Sequence, residues 1–298
     1  MTSTTPPGLL VAPIGITVLS DSTRVDGVVA DVCFVHGLAG HPLRTWLKPS
    51  GSTVTSHPEV QQQQRSSPSS LKKLFGRSKA PSTPQLEAAA TGKGGTYWPL
   101  DLVVRDFENV RVLTYGYDSH PSHFYTGKTT KMTISQHAQQ LLQAVTNVRG
   151  ECRGRPIIFV AHSLGGILVK DAILRSLRYG DHQPQRDLGH SCPAIMFFGT
   201  PHLGANAAVY GDMVASIVSA IGPSVYKEVL RGLKPDGEVL ANINADFNDQ
   251  LNKSIPPEQK IQIFSFQEGK GVTSIGKFDG KVSLRLGWVK KVHRLKTF

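Results

Sequence analysis

Ser163 is the residue best placed to do chemistry. It stands in PIIFVAHSLGGILVKDAIL, where a continuous apolar run ends in small residues and an apolar helical pattern begins. A strand, a sharp turn and a helix, with serine at the turn, is the setting in which a strained backbone lifts a hydroxyl clear of a sheet edge. The local pattern is Ala161-x-Ser163-x-Gly165, with alanine where glycine is usual, and alanine is still small. Such a pattern is common by chance, so its weight lies in its placement between strand and helix. The Gly165-Gly166 pair, which a free-standing helix avoids, fits close packing at such a turn. Upstream, DVCFVHGLAGH sets another strand before His36-Gly37-Leu38-Ala39-Gly40. A loop of this kind offers one backbone N–H to an oxyanion, and the residue after the nucleophile offers the other. Those donors are Leu38 and Leu164. His36 shapes such a loop more often than it moves protons.

A serine nucleophile also needs a base and an acid that orients it, and behind such an elbow the chain order is serine, acid, histidine. The acid is sought after the strand KIQIFSFQ, which Glu268 follows directly; Asp279 in FDGKV is the runner-up. The bland account of Glu268 is a solvated loop carboxylate. For the base, His293 lies inside the strand-like KKVHRLKTF, where an ordinary strand histidine is the commoner case. His202, in GTPHLG, comes too early in the order. The expectation is therefore a nucleophile and an acid with the third member doubtful and the C-terminus truncated before it. That leaves two readings: acyl transfer by a serine esterase or lipase, and an impaired hydrolase fold that binds or scaffolds.

These residues need elements to hold them. Short apolar runs recur at Ala30 to Val35, Val110 to Tyr115, Pro156 to Ala161, Pro193 to Phe198 and Lys260 to Phe266, as buried parallel strands do. Leu9 to Leu19 reads as an opening strand. Helical patterns lie between. One begins at Thr133, which forms a capping-box pair with Gln136 and puts Ile134, Ala138, Leu141, Leu142 and Val145 on one face. Others run from Leu164 to Leu177, Ala205 to Ile221 and Val239 to Leu251. Strands alternating with helices predict a mostly parallel central sheet with helices on both faces, an α/β-hydrolase fold.

At 298 residues with 39% hydrophobic and 18% charged residues, the chain suits one α/β domain, residues 1–298, carrying one insertion. Residues 48–95 contain QQQQ, SSPSS, PSTP and GKGG with almost no aliphatic periodicity, and are expected to be a disordered surface insertion. Within it SLKKLFGRSK is basic with apolar residues, a candidate for peripheral membrane contact, although a solvated charge run is the commoner case. The formal charge of +11 does not make this a nucleic-acid binder. Five basic residues between Arg65 and Lys79, and eight against Asp279 alone from Gly269 to Phe298, account for the whole excess. Residues 280–298 form a basic C-terminal segment. Cys33, Cys152 and Cys192 are too scattered for a disulfide framework or a zinc site, and a reducing compartment, the cytoplasm, fits. GVTSIGKF, from Gly271 to Phe278, misses a phosphate loop at its last position, where Phe278 replaces the hydroxyl, so no nucleotide is assigned. The chemistry needs no metal or cofactor.

HGLAGHPLRTW, WPLDLV, VRVLTYGYD, HSLGGILVK, IMFFGTPHLGA and IFSFQE, in this order, resemble the serine active site-containing protein family, lipase-like serine esterases frequent in fungi. The likeness spans roughly Gly15 to Asp279 without the insertion. It implies an α/β-hydrolase fold, an ester or lipid substrate, Glu268 as the family's acid, and association with mitochondria or the endoplasmic reticulum. It also implies a base in an Asp-His pair after the last strand, a pair this sequence lacks.

Overall fold

The apolar runs that turn residues bound in the sequence become the strands of one sheet. The structure, a computed structural model, describes residues 10–20, 27–49, 87–88, 95–120, 134–200, 202, 240, 242–251, 260–266 and 292–294. Its strands are β1 (Leu10–Val11), β2 (Gly15–Val18), β3 (Ala30–Val35), β4 (Leu47–Pro49), β5 (Glu87–Ala88), β6 (Gly95–Tyr97), β7 (Val110–Gly116), β8 (Ile157–His162), β9 (Ala194–Phe198), β10 (Gln262–Phe266) and β11 (Val292–Arg294). Seven of them form the main sheet in the order β11-β10-β9-β8-β3-β7-β2. The five inner strands are parallel, and β2 and β11 run antiparallel at the two edges. All five inner strands therefore end on one edge of the sheet, with β8 at its centre. Ligands of open α/β sheets bind at that edge.

The pleat sorts the side chains of each strand to two faces. Cys33, Val35, Phe159, Ala161, Ile195 and Phe197 join the larger core under helices α1 (Ile134–Val148) and α2 (Leu164–Arg178) and the helical residues 242–251. On α1 the residues expected on one face are buried, and α2 is buried along most of its length. Phe34, Val112 and Val160 face the other way, onto Trp46, Tyr97 and Leu100, the last in the helical turn Pro99–Val104. Helices thus cover both faces.

Two expectations change. The single opening strand over Leu9 to Leu19 is two, because Pro13 interrupts it and Gly15 takes a φ of 88°. Only β2 joins the main sheet; β1 pairs with β5, from within the 48–95 stretch. The ends of that stretch also meet, since β4 and β6 pair antiparallel with Leu47 opposite Tyr97 and Pro49 opposite Gly95. The remainder of it, SLKKLFGRSK included, lies outside the described residues, as do Thr133, Ala205 to Ile221 and Gly271 to Phe278. So does the basic segment 280–298 apart from β11.

Away from the carboxyl edge, the start of β3 is fixed by charge. Asp31, fully buried, accepts two hydrogen bonds from Arg111 of β7 at 2.8 and 2.9 Å and one from Arg149, just after α1, at 2.5 Å. Arg149 in turn reaches Asp187 at 2.9 Å. This cluster ties β3, β7 and the end of α1 together at the edge opposite the site.

Candidate active site

The elbow is present. Ser163 has φ 50° and ψ −125°, a conformation L-residues avoid, at the point where β8 passes into α2. Three bonds hold it there. Its N–H donates to the Phe198 carbonyl at 2.8 Å, its carbonyl accepts from the Gly166 N–H at 3.1 Å, and the Thr200 hydroxyl donates to the same carbonyl at 3.0 Å. The backbone is over-determined while the Oγ, 4% exposed for the residue as a whole, has no hydrogen-bond partner among the described residues. Strained positions of this kind cluster at active sites.

The loop after β3 lies against it. A Cβ on Gly37 would come within 2.7 Å of the Ser163 Cβ and 2.8 Å of the His162 carbonyl, so only glycine admits this approach. A Cβ on Gly165 would collide with the carbonyl of His36, which places the first turn of α2 directly on that loop. His36 locks the loop. Its Nδ1–H donates to the Gly37 carbonyl at 3.0 Å, its Nε2 accepts from the Tyr117 N–H at 3.3 Å, and the Tyr117 hydroxyl donates to its carbonyl at 3.0 Å. The two rings stack at 4.4 Å. Complete burial pushes the imidazole down to about 3, so it stays neutral. It shapes the loop.

The amides of Ala39 and Gly40 are spent, on the Ser119 carbonyl at 2.8 Å and the Gly37 carbonyl at 3.0 Å. Among the described residues the Leu38 N–H has no such partner, and the Leu164 N–H is one of the donors that a helix N-terminus leaves unsatisfied. Leu164 follows Ser163 directly at the helix start, where the potential favours an anion, and Leu38 follows Gly37, which lies against the Ser163 Cβ.

The two histidines weighed for the base stand on later elements. His202, on the loop after β9, has both ring nitrogens committed, with Nδ1 accepting from the Lys170 ammonium at 3.0 Å and Nε2–H donating to Ser265 Oγ at 2.5 Å. Burial pushes it down to about 3. His293 sits in β11 opposite Ser265. Ser265 is opposite Phe197, and Phe197 opposite Ala161, so His293 is three strands from the elbow strand. At the spacing of paired strands that is about 14 Å of lateral displacement. Glu268 lies outside the described residues; it follows β10 by two positions, and β10 ends on the same edge as the elbow. Sequence reasoning assigned no role to Thr200, Tyr117 or Lys170. The first two sat in view within GTPHLG and TYGYD, but their partners are 37 and 81 residues away.

The strand order and the elbow at the centre of a parallel sheet define the class: an α/β-hydrolase fold. No family model matches the chain. Protein SERAC1 of Danio rerio is 27% identical over 263 residues, covering 85% of this chain and 32% of that protein. Protein SERAC1 of Homo sapiens is 22% identical over 258 residues with the same coverage. The chain thus spans about a third of the length of the curated relatives it matches. Among solved structures it is similar to a carboxylesterase of the thaumarchaeon Nitrososphaera gargenis, at 10% identity, 85% of this chain, 75% of that one and a TM-score of 0.37. It is also similar to MenH from S. aureus, at 9% identity, 84% of this chain, 78% of that one and a TM-score of 0.36.

Proposed function

We propose that the protein is a serine hydrolase of esterase or lipase type, acting on carboxylic or phospholipid esters through an acyl-enzyme. The observation that supports this is the strained Ser163 with its uncommitted hydroxyl at the turn between β8 and α2. In the reaction the Ser163 oxygen bonds to the ester carbonyl carbon while a base takes its proton. The Leu38 and Leu164 N–H groups hold the oxyanion, the alcohol leaves with that proton, and water reverses the steps on the acyl-serine. Glu268 is the acid that orients the base. His293 is the candidate for that base.

A second reading has its own support. Ser163 Oγ is buried without a hydrogen-bond partner among the described residues, as it would be in an impaired hydrolase fold that binds its ligand without turning it over. One experiment separates the two. A fluorophosphonate probe should label wild-type protein at Ser163 and leave Ser163→Ala unlabelled. Turnover of a short p-nitrophenyl ester alongside labelling marks the enzyme, whereas labelling without turnover marks the impaired fold. Equal labelling of both proteins removes Ser163 as nucleophile.

A further inference from the structure

Lys170 stands seven residues past Ser163 on α2, and it is 2% exposed. Such burial of an ammonium is rare without a carboxylate, and none touches it among the described residues. It donates instead to His202 Nδ1 at 3.0 Å and to Asn244 Oδ1 at 2.5 Å. The rings of Phe197 and Phe247 lie 5.1 and 5.7 Å from its nitrogen. His202 passes the connection on to Ser265 of β10. Asn244 is anchored in its own helix, donating to the Leu240 carbonyl at 3.1 Å. One side chain thus joins the nucleophile's helix, the loop after β9, the strand that leads to Glu268 and the helical residues 242–251. The loop it grips is also the loop whose Thr200 hydroxyl bonds the Ser163 carbonyl.

We infer that Lys170 is a positioning residue of the Ser163 site, setting through His202 and Ser265 where the loop after β9 and the end of β10 stand relative to the elbow. This rests on the reading of Ser163 as a nucleophile. Burial is affordable for such a group because it titrates: the low-dielectric surroundings bring the amine down to about 7. The titratable group in contact with it is His202. Asp171 and Arg175 on its own helix pair with each other at 3.1 Å, and Asp246 on the facing helix is within 3.5 Å of Arg178. Among the described residues β9 and β10 bring no charge to it. A group placed only for packing would not need two polar partners on two different segments.

The test is a double-mutant cycle on the full chain, with Lys170→Met and His202→Phe, read as the rate of fluorophosphonate labelling at Ser163 and as amide hydrogen exchange. Each single variant should slow labelling on the order of tenfold or more, the cost of loosening a site's geometry. The double variant should be no slower than either, because both cut the same connection. Exchange should quicken in peptides covering residues 198–204 and 262–268 while the α2 peptide keeps its protection. Should the methionine protein not fold, Lys170→Gln, which keeps an N–H donor at shorter reach, replaces it with labelling between the extremes. Wild-type labelling rates in the single variants, or additive losses in the double, overturn the proposal while leaving Ser163 in place. Absence of labelling in the wild type overturns the nucleophile reading and the positioning role with it.

Discussion

Ser163 can hold a positive φ because its neighbours leave it no alternative, and the same neighbours show which small residues are indispensable. Gly37 is one. Its missing Cβ is what lets the loop carrying the Leu38 amide lie against the Ser163 Cβ, and an added methyl would have to displace either that loop or the elbow. Forcing a methyl into so tight a contact costs about 1–3 kcal/mol of strain. Here the movable party is the oxyanion loop itself. Gly37→Ala should therefore remain folded, with a lowered melting temperature, and lose fluorophosphonate labelling at Ser163 by far more than it loses stability. A variant that labels at the wild-type rate would show that the loop does not supply an oxyanion donor. His36 was legible from the sequence as a loop-shaping residue, and its two hydrogen bonds to the Gly37 carbonyl and the Tyr117 amide confirm that role.

At the scale of elements, the sheet was legible wherever apolar residues dominated a short run between turn residues. Ala30–Val35 begins and ends where its hydrophobic run does, and the other inner strands differ from their runs by one or two residues. Pairings of short polar segments were not legible. Leu47–Pro49 and Gly95–Tyr97 carry no alternation that would mark them as partners, and Glu87–Ala88 is too short to show any. The charge cluster at the start of β3 was hidden too, since Arg111 and Arg149 follow Asp31 by 80 and 118 residues. Its consequence is structural. Removing Asp31 takes one carboxylate from buried Arg149, which keeps Asp187, and the carboxylate that Arg111 pairs with, a loss of up to about 3–5 kcal/mol for a broken buried pair. Asp31→Ala should show this as a reduced urea midpoint. Asp31 lies four residues before the end of β3, about 13 Å along the strand. Labelling of Ser163 in the folded fraction should consequently be unchanged; a loss of labelling at equal folded fraction would mean that the cluster reaches the site.

For the whole molecule, the buried titratable groups set the direction in which pH moves stability. Burial lowers His36 to about 3, His162 to about 4 and His202 to about 3. An unfolded chain protonates each near 6.5. Between those values and 6.5 the unfolded state binds protons that the folded state refuses, so stability falls as the medium is acidified below about 6.5. Lys170 acts in the same direction over a different range. Folded, it loses its proton near 7, whereas the unfolded chain keeps one to about 10.4. From pH 7 upward the unfolded state again binds the extra proton, and stability contributed by this group rises with pH until the free lysine itself titrates. The two ranges adjoin, so urea midpoints should climb from pH 4.5 through neutrality to about pH 8; above that the unfolded chain releases the thiol protons of Cys33 and Cys192, which burial makes the folded protein keep, and these oppose the lysine. Each group adds at most about 1.4 kcal/mol per pH unit within its range. Lys170→Met separates the contributions: it should flatten the rise above pH 7 and leave the acid limb, which belongs to the histidines, in place. A wild-type midpoint that is level from pH 7 to 8, or a methionine variant that keeps the rise over that range, would show that Lys170 holds its proton in the folded protein.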